Sequence, residues 1–413
     1  MKLNKIVVSL LSAGVLASPL AYATNGDEMM AVGSQSTALG GTGVANFMGA
    51  DSVWTNPAML GKSKGAEVTG GVTIFTPKVT NTGVPALRGV AAESKAATSY
   101  IPDVSYSSRV SDGLTYGIAV AGIAGMGVDY QGAPATHISA KSAMSILRVV
   151  PTLAYNTNSY GVGVSPVFQS GSLRLSYNAS GMGMGNVNAA GNADSSTGFG
   201  YSLGGYFNAT SALTLAASYQ SEIAAKYGTQ ISDAGRGFGL FTGTGSFGAP
   251  FGDDLNQPAE AKAGVAYALA DSFTLTADYK LIQWGSAKGY KDFNWKDQTV
   301  IAVGAKYAAN NYWLGLGYNN ANNPIGELPS TTANGTQYRN AAINFFNNMF
   351  FPAVVTNSYT FGGGYDISKA LAVEAAAVIS PEVKTQVSVL DFGGTNTTTH
   401  SQQSYSVSLR YKF

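Results

Sequence analysis

The chain has 413 residues, with 24 basic and 23 acidic side chains and no Cys. Gly fills 51 positions, about 12% against a usual ~7%, and charged residues are only 11% where a soluble domain carries about 25%. Hydrophobic residues reach 45%, yet past the first twenty-odd positions no apolar run approaches the ~18 residues of a membrane helix. These figures exclude a helical membrane protein and argue against a soluble enzyme or a disordered chain. A chain that is apolar without apolar runs must alternate its greasy residues with small or polar ones, which is the composition of a membrane β-barrel. The missing Cys excludes disulfides, thiolate metal sites and a cysteine nucleophile. The near-zero charge excludes the basic surface that nucleic acid requires.

At the N-terminus, Lys2 and Lys5 precede an apolar stretch from Ile6 to Leu16, and Ala21-Tyr22-Ala23 forms an A-x-A site. Residues 1–23 are therefore predicted to be a signal peptide rather than an uncleaved helix. The mature chain then starts at Thr24 and holds 390 residues, with 22 basic to 23 acidic side chains. No Cys follows the site, so a lipoprotein is excluded. The address implied is the outer membrane of a Gram-negative bacterium.

Residues 24–64 are rich in small side chains and lack strand alternation, but include Phe47, Met48, Trp54, Met59 and Leu60. A periplasmic tail has little use for such apolar anchors; a plug inside a barrel does. The run Gly40-Gly41-Thr42-Gly43 lacks the Gly-Lys-Ser/Thr of a phosphate loop and reads as compact turns. Residues 65–413 are expected to form the barrel.

From residue 67 onward the signal is period-2 alternation. Clear stretches run from Leu114 to Val120, Phe199 to Leu203, Leu213 to Tyr219, Val265 to Leu269, Phe273 to Leu281, Tyr312 to Tyr318, Tyr359 to Tyr365 and Leu371 to Ile379. The last ten residues place Tyr405, Val407, Leu409, Tyr411 and Phe413 on one face, and Ser404, Ser406, Ser408, Arg410 and Lys412 on the other. The apolar face suits lipid and the polar face a lumen. Weaker candidates near 67–80, 98–110, 145–157, 160–178 and 297–309 bring the count to fourteen, an even number as a single-chain bacterial barrel requires.

Loop lengths agree. Tight links fall at 111–113, 156–159, 208–211, 270–271, 310–311 and 368–369, where Asn, Asp, Ser and Gly tolerate turn dihedrals. Long links fall between them, at 81–97, 126–144, 179–195, 221–257, 285–296, 319–356 and 386–401. Short and long alternate, as periplasmic turns and extracellular loops do.

Within this frame four groups of residues stand out. In the third strand Gly122, Gly125 and Gly127 either mark a bend or bulge or begin the following loop. Arg148, Lys262 and Lys280 face inward at similar heights. They are candidate anchors for a ligand carboxylate, or partners of lumen carboxylates such as Asp278 and Glu374. Two long links carry clustered aromatics: Phe238, Phe241, Phe247 and Phe251 in one, and Phe345, Phe346, Met349 and Phe350 in the other, with Ile343 and Phe351 at helical spacing. Such loops either capture a hydrophobic ligand or pack on one another. Phe413, a terminal aromatic, is the candidate assembly signal read by the barrel-assembly machinery. Nothing calls for a cofactor or a metal. The only histidines, His137 and His400, fall in expected loops far apart in sequence, which disfavours a hydrolase.

The leader, then Gly40-Gly41-Thr42-Gly43-Val44-Ala45 leading to Asn56-Pro57-Ala58, resembles the N-terminal hatch of FadL-type outer-membrane transporters. The resemblance extends to the Ala277–Trp284 stretch, to Gly315–Asn320 with Asn323-Pro324, and to the Phe413 ending, and so covers essentially the mature chain. It implies a monomeric fourteen-stranded barrel closed by a hatch over 24–64 and surrounded by outer-membrane lipid and lipopolysaccharide. It also implies uptake of long-chain fatty acids or aromatic hydrocarbons, with sideways release into the membrane at an inward kink of the third strand. The link after the fifth strand is shorter than the family pattern, while 221–257 and 319–356 are long, so the external capture site is expected to be built differently. The alternative is a general or small-polar-solute porin, which would lack a plug and carry a more charged lumen.

Overall fold

A computed structural model of the chain describes residues 24–84, 89–134, 137–178, 186–187, 191–237, 252–330, 335–389 and 394–413. Fourteen long strands follow one another: β1 (Glu67–Asn81), β2 (Ser99–Ser111), β3 (Leu114–Asp129), β4 (Lys141–Asn156), β5 (Tyr160–Asn178), β6 (Asp194–Asn208) and β7 (Leu213–Gln220). The second half comprises β8 (Glu260–Ala270), β9 (Phe273–Ile282), β10 (Gln298–Ala309), β11 (Tyr312–Ala321), β12 (Asn357–Asp366), β13 (Leu371–Ser388) and β14 (Thr395–Lys412). Each pairs antiparallel with its neighbours in sequence. β14 returns to β1 over Thr398↔Asn81 to Lys412↔Glu67, which closes the sheet into a barrel.

The alternation in the sequence is the alternation of the wall. Leu409 is 54% exposed on the outer face while its neighbour Ser408 is 2% exposed on the inner one. Gly, Ala, Ser and Thr dominate the inner face because other atoms must fit there. The six tight turns stand where expected, at the end that carries both barrel termini.

Two links differ from the expectation. β3 runs to Asp129 and β4 starts at Lys141, so Gly122, Gly125 and Gly127 lie within a strand and do not begin a loop. β13 and β14 continue to Ser388 and from Thr395, so the last link is a short hairpin, not the long loop expected over 386–401. Its outward positions above Tyr405 are Gln403, Ser401, Thr399 and Thr397. A polar outer face in turn with a polar inner one carries no hydrophobic period. His400 accordingly sits on β14, buried, and not in a loop as expected.

Among the described residues one short helix, α1 (Ser34–Ala38), precedes the barrel strands and lies inside the wall. The far mouth is covered by α2 (Gln230–Gly237), α3 (Gly335–Phe350) and the β9–β10 link. Trp284, Tyr290, Trp295, Phe293, Phe346 and Phe350 form one buried cluster there. Phe293 stacks on Phe346 at 4.9 Å between centroids. Asn348 and Asn396 lock α3 to β14 through a 2.6 Å hydrogen bond.

One seam of the wall is incomplete. β2 and β3 pair only up to Asp103↔Ala121. Beyond it, Ser99 to Ile101 of β2 pair with β1 alone, and Gly122 to Asp129 of β3 pair with β4. The β3–β4 register slips between Gly122 and Ala124, a bulge at Ile123. From Ala121 to Val128 every residue of β3 is buried, so the strand leaves the lipid face and bends inward. The seam closes again where Lys95 N donates to Asp129 O (2.8 Å) and Asp129 N to Ser94 Oγ (2.9 Å). A window between β2 and β3 results.

Candidate functional site

Residues 24–64 run along the inner face of the wall and are almost wholly buried. The segment opens with a hairpin in which Thr24 faces Met29 and Asn25 faces Glu28, turned at Gly26 with φ of 69°. Trp284 lies over that turn; a Cβ at Gly26 would meet its ring at 2.7 Å. Then come α1 and two 3₁₀ turns, Asp51–Trp54 and Pro57–Lys62.

Asn56-Pro57-Ala58 has a local mechanical explanation. The Asn56 side chain caps the second 3₁₀ turn by accepting from Ala58 N (3.0 Å), and Pro57 occupies its first position, where no N–H is needed. Asn56 Nδ2 also donates to Val44 O (2.8 Å) and to Gly205 O of β6 (3.2 Å). Gly163 of β5 and Gly204 of β6 leave the hollow that admits this tripeptide: a Cβ on either would run into its atoms.

The glycine run 40–43 docks similarly. Gly43 N and Val44 N donate to Asp278 Oδ2 of β9 (2.7 and 3.0 Å), so the run holds a carboxylate of the wall. Gly40 N donates to Thr360 Oγ1 (2.9 Å), and Gln35 Nε2 to Glu374 Oε1 (2.8 Å). Glu374 in turn pairs with Arg410 at 3.0 Å, and Arg410 Nη2 reaches Met48 O (3.3 Å). Asp51 is buried beside these groups. Burial and the nearby Asp103 push its carboxyl up to about 8, against the pull of Arg410.

Residues 27–32 form a strap across the window in β2–β3. Glu28 pairs with Ala124 of β3, and Gly125 N donates to Asp27 O (2.9 Å). The strap thus takes the edge of β3 that β2 leaves free. Asp27 accepts a hydrogen bond from the Tyr290 hydroxyl of the β9–β10 link. Burial raises the Asp27 carboxyl to about 7, with hydrogen bonds from Tyr290 and Gln257 opposing.

On one side of the strap lies a cavity of about 80 Å³. The three expected anchors meet in it: Arg148 of β4, Lys262 of β8 and Lys280 of β9. Their main partner was not foreseen. Glu260 sits 3.0 Å from Lys262 and 3.6 Å from Lys280. Its position two residues before Lys262 on the same face was the available signal. The second partner is Glu28, 3.8 Å from Arg148, which nothing local connects to it. Asp278 lines the cavity but is engaged with the glycine run, and Glu374 belongs to the separate Arg410 cluster. On the strap's other side a second cavity of about 10 Å³ is framed by Phe75, Ile101 and Val378.

The loop aromatics divide. Phe238, Phe241, Phe247 and Phe251 lie outside the described residues. Phe345, Phe346, Met349 and Phe350 are fully buried on α3, packed onto the mouth rather than displayed to solvent. Phe346 and Phe351 also frame an apolar crevice of about 10 Å³ with Met126, Leu175 and Ile231. Phe413 ends the chain on the outer face, 77% exposed, edge-on to Tyr411 at 5.0 Å.

Comparison with solved structures agrees with this architecture. The chain is similar to the Pseudomonas putida toluene transporter TodX, at 19% identity and a TM-score of 0.68 over 93% of this chain and 99% of that one. A Pseudomonas aeruginosa FadL homologue matches at 16% identity and 0.69, covering 94% and 100%. The Ralstonia pickettii toluene transporter TbuX matches at 18% and 0.61, covering 93% and 99%. These likenesses establish the fold. No curated protein matches the sequence. Residues 14–413 match the family described as outer membrane protein transport protein (OMPP1/FadL/TodX), and the chain belongs to that family of outer-membrane transport proteins.

Proposed function

We propose that this barrel carries hydrophobic small molecules, long-chain fatty acids or aromatic and aliphatic hydrocarbons, passively across the outer membrane of a Gram-negative bacterium. Residues 1–23 direct export, residues 24–64 act as the hatch, and the barrel-assembly machinery inserts the 65–413 barrel as a monomer amid lipid and lipopolysaccharide. The aromatic mouth around α3 receives the ligand, the cavity beside Arg148, Lys262 and Lys280 holds it, and the window between β2 and β3 releases it into the bilayer.

The single observation that carries this reading is the window: a closed barrel whose wall fails at one seam, with the gap spanned by a segment of the hatch. A polar solute has no use for a sideways exit. Burial of each CH₂ along such a route contributes about 0.8 kcal/mol, so apolar mouth, pocket and lipid form a path that a water-filled pore lacks. The porin alternative is disfavoured because residues 24–64 pack against the inner wall and leave a cavity of only about 80 Å³.

The test is uptake by cells that lack other hydrophobic transporters, with radiolabelled oleate and toluene offered beside a small sugar. Expression of this chain is expected to speed entry of at least one hydrophobic probe and leave the sugar unchanged. Faster entry of the sugar alone would return the porin reading.

A further inference from the structure

Strand register gathers a polar patch on the inner wall, away from the two cavities. β1 places Thr69 opposite Ser105 of β2 and Arg410 of β14, and Gly71 opposite Asp103 and Ser408. Residues two apart on a strand share a face, so Thr69, Asp103 and Ser105 project into the lumen together, and all three are buried. Gly71 leaves room for the Asp103 carboxyl: a Cβ there would meet Asp103 Oδ1 at 2.8 Å and Ser408 Oγ at 2.6 Å. Residues 49–51 close the patch from within. Ala50 N donates to Glu67 Oε1 (2.8 Å), and the next side chain, Asp51, interacts with Asp103 and Ser105. Behind it, a Cβ at Gly33 would meet Asp51 Oδ2 at 2.9 Å.

The patch is rich in oxygen and short of positive charge. Asp51 is 3% exposed and Asp103 5%. Asp51 Oδ1 and Oδ2, Asp103 Oδ2 and Thr69 Oγ1 are buried, and none makes a hydrogen bond among the described residues. Arg410, the guanidinium beside them, is already shared by Glu374 at 3.0 Å and Glu67 at 3.8 Å. Lys306, the other cation near Glu374, gives its ammonium to Gln35 Oε1 (2.9 Å). Four carboxyls thus face two cations, an excess of two negative charges, and among the described residues neither Asp51 nor Asp103 has an ion-pair partner. Uncompensated buried charge is costly. Both carboxyls point at the same few wall residues, so one occupant can serve both.

We propose that Asp51 and Asp103 bind a calcium ion, with the Thr69 and Ser105 hydroxyls completing the protein's share of its ligands, and that this ion ties residues 24–64 to β1 and β2. The donor set is oxygen alone, which selects a hard cation. Calcium takes six to eight oxygens in flexible geometry and accepts carboxylate, hydroxyl and water together, whereas magnesium demands a near-ideal octahedron. Asp51 offers both its oxygens. Ser105 Oγ accepts from Trp54 Nε1 and keeps its second lone pair for the ion. A divalent charge matches the excess of two. The ion would join a carboxylate of the inner segment to one of the wall, a contact that two like charges could not otherwise make.

The test uses the full mature chain in phosphatidylcholine nanodiscs, stripped with EGTA, with terbium(III) as a luminescent probe that shares calcium's preference for oxygen. The 3.2 Å hydrogen bond from Trp54 Nε1 to Ser105 Oγ sets an indole beside the site, where it sensitises bound terbium. Emission excited through tryptophan is expected to saturate at one terbium per chain, to be displaced by calcium, and to vanish in Trp54→Phe. Asp103→Asn should weaken terbium binding about tenfold or more, since loss of a group that merely supports a metal ligand already costs that much. Asp51→Asn should do the same, and takes the place of the first variant if that one fails to show heat-modifiable migration. Wild-type protein without calcium-displaceable emission from Trp54 overturns the proposal, and the two carboxyls then keep protons in place of the ion. Full terbium affinity in a folded Asn variant overturns it equally. Uptake of hydrophobic probes has no part in this readout, so the uptake reading stands under either result.

Discussion

Asn56 and Gly204 fit each other as a side chain fits a slot. The Asn56 carboxamide occupies the space where a β6 side chain would stand, and a Cβ at Gly204 would collide with it. Gly163 does the same for Pro57 and Ala58, and Gly317 for Leu39 and Gly40. The high glycine content is thus partly the negative imprint of residues 24–64 on the wall.

Replacing Gly204 by Val therefore dislodges the Asn56–Ala58 turn while leaving an unhindered, β-favouring residue in the strand. Overpacking of this kind costs about 1–3 kcal/mol, and the turn at Asn56–Ala58, which is not part of the wall, is expected to yield. The expected result is a folded, heat-modifiable barrel with raised ion conductance in planar bilayers, approaching that of a protein lacking residues 24–64. Unchanged conductance in both proteins would remove the plug assignment.

The exit is testable at the bulge. Gly122 and Gly125 bracket the Ile123–Ala124 pair at the slip in register, in the stretch of β3 where both faces are buried. Gly122→Val with Gly125→Val adds bulk where the strap meets the wall. Hydrophobic uptake should fall by an order of magnitude while barrel folding is retained. Normal uptake by the folded double variant would direct attention to the periplasmic end instead.

Phe413 bears on assembly. Its backbone N–H donates to Ala66 O (3.0 Å) beside the β14–β1 closure, and its ring projects outward. Phe413→Ala is expected to lower the amount of protein in the outer membrane several-fold, with normal transport per assembled barrel. Full membrane levels with lost transport would contradict an assembly role.

The strap should loosen with rising pH. Asp27 titrates at about 7 in the folded protein against an ordinary 3.8, so the docked form binds more protons than the free form across that interval. Its contribution is complete below about pH 4 and is lost as pH rises through about 7. Hydrogen exchange of a 24–32 peptide, corrected for base catalysis, should show protection falling between pH 5 and 8. Asp27→Asn should flatten that profile. An unaltered slope in the variant would assign the effect to another group.

The wall was legible because its code is local. In Ser404–Phe413 each residue's polarity reports its own face, with no knowledge of its neighbours in space, and Asn, Asp and Gly at the turns report their own dihedrals. Where the outer face is itself polar, at Thr397 to Gln403, the period fades and the β13–β14 hairpin could not be told from a loop. Gly122, Gly125 and Gly127 were ambiguous for a related reason, since a strand buried on both faces alternates no better than a loop.

The site was legible only in fragments. Arg148, Lys262 and Lys280 were recognisable as inward charges, because a charge on a strand whose other face meets lipid must point to the lumen. Their partners were decided by the closed barrel. Glu28 is brought to Arg148 across 120 positions of sequence by the docking of residues 24–64 on the inner wall, and Tyr290 to Asp27 across 263. The window likewise exists because β2 and β3 stop pairing at Asp103 and Ala121, and a strap from elsewhere satisfies the edge. Local chemistry determines that a strand forms and which way it faces; which distant carboxyl neutralises a buried charge depends on the chain's path through space, because an unpaired buried charge is costly and the fold alone sets which partner is in reach.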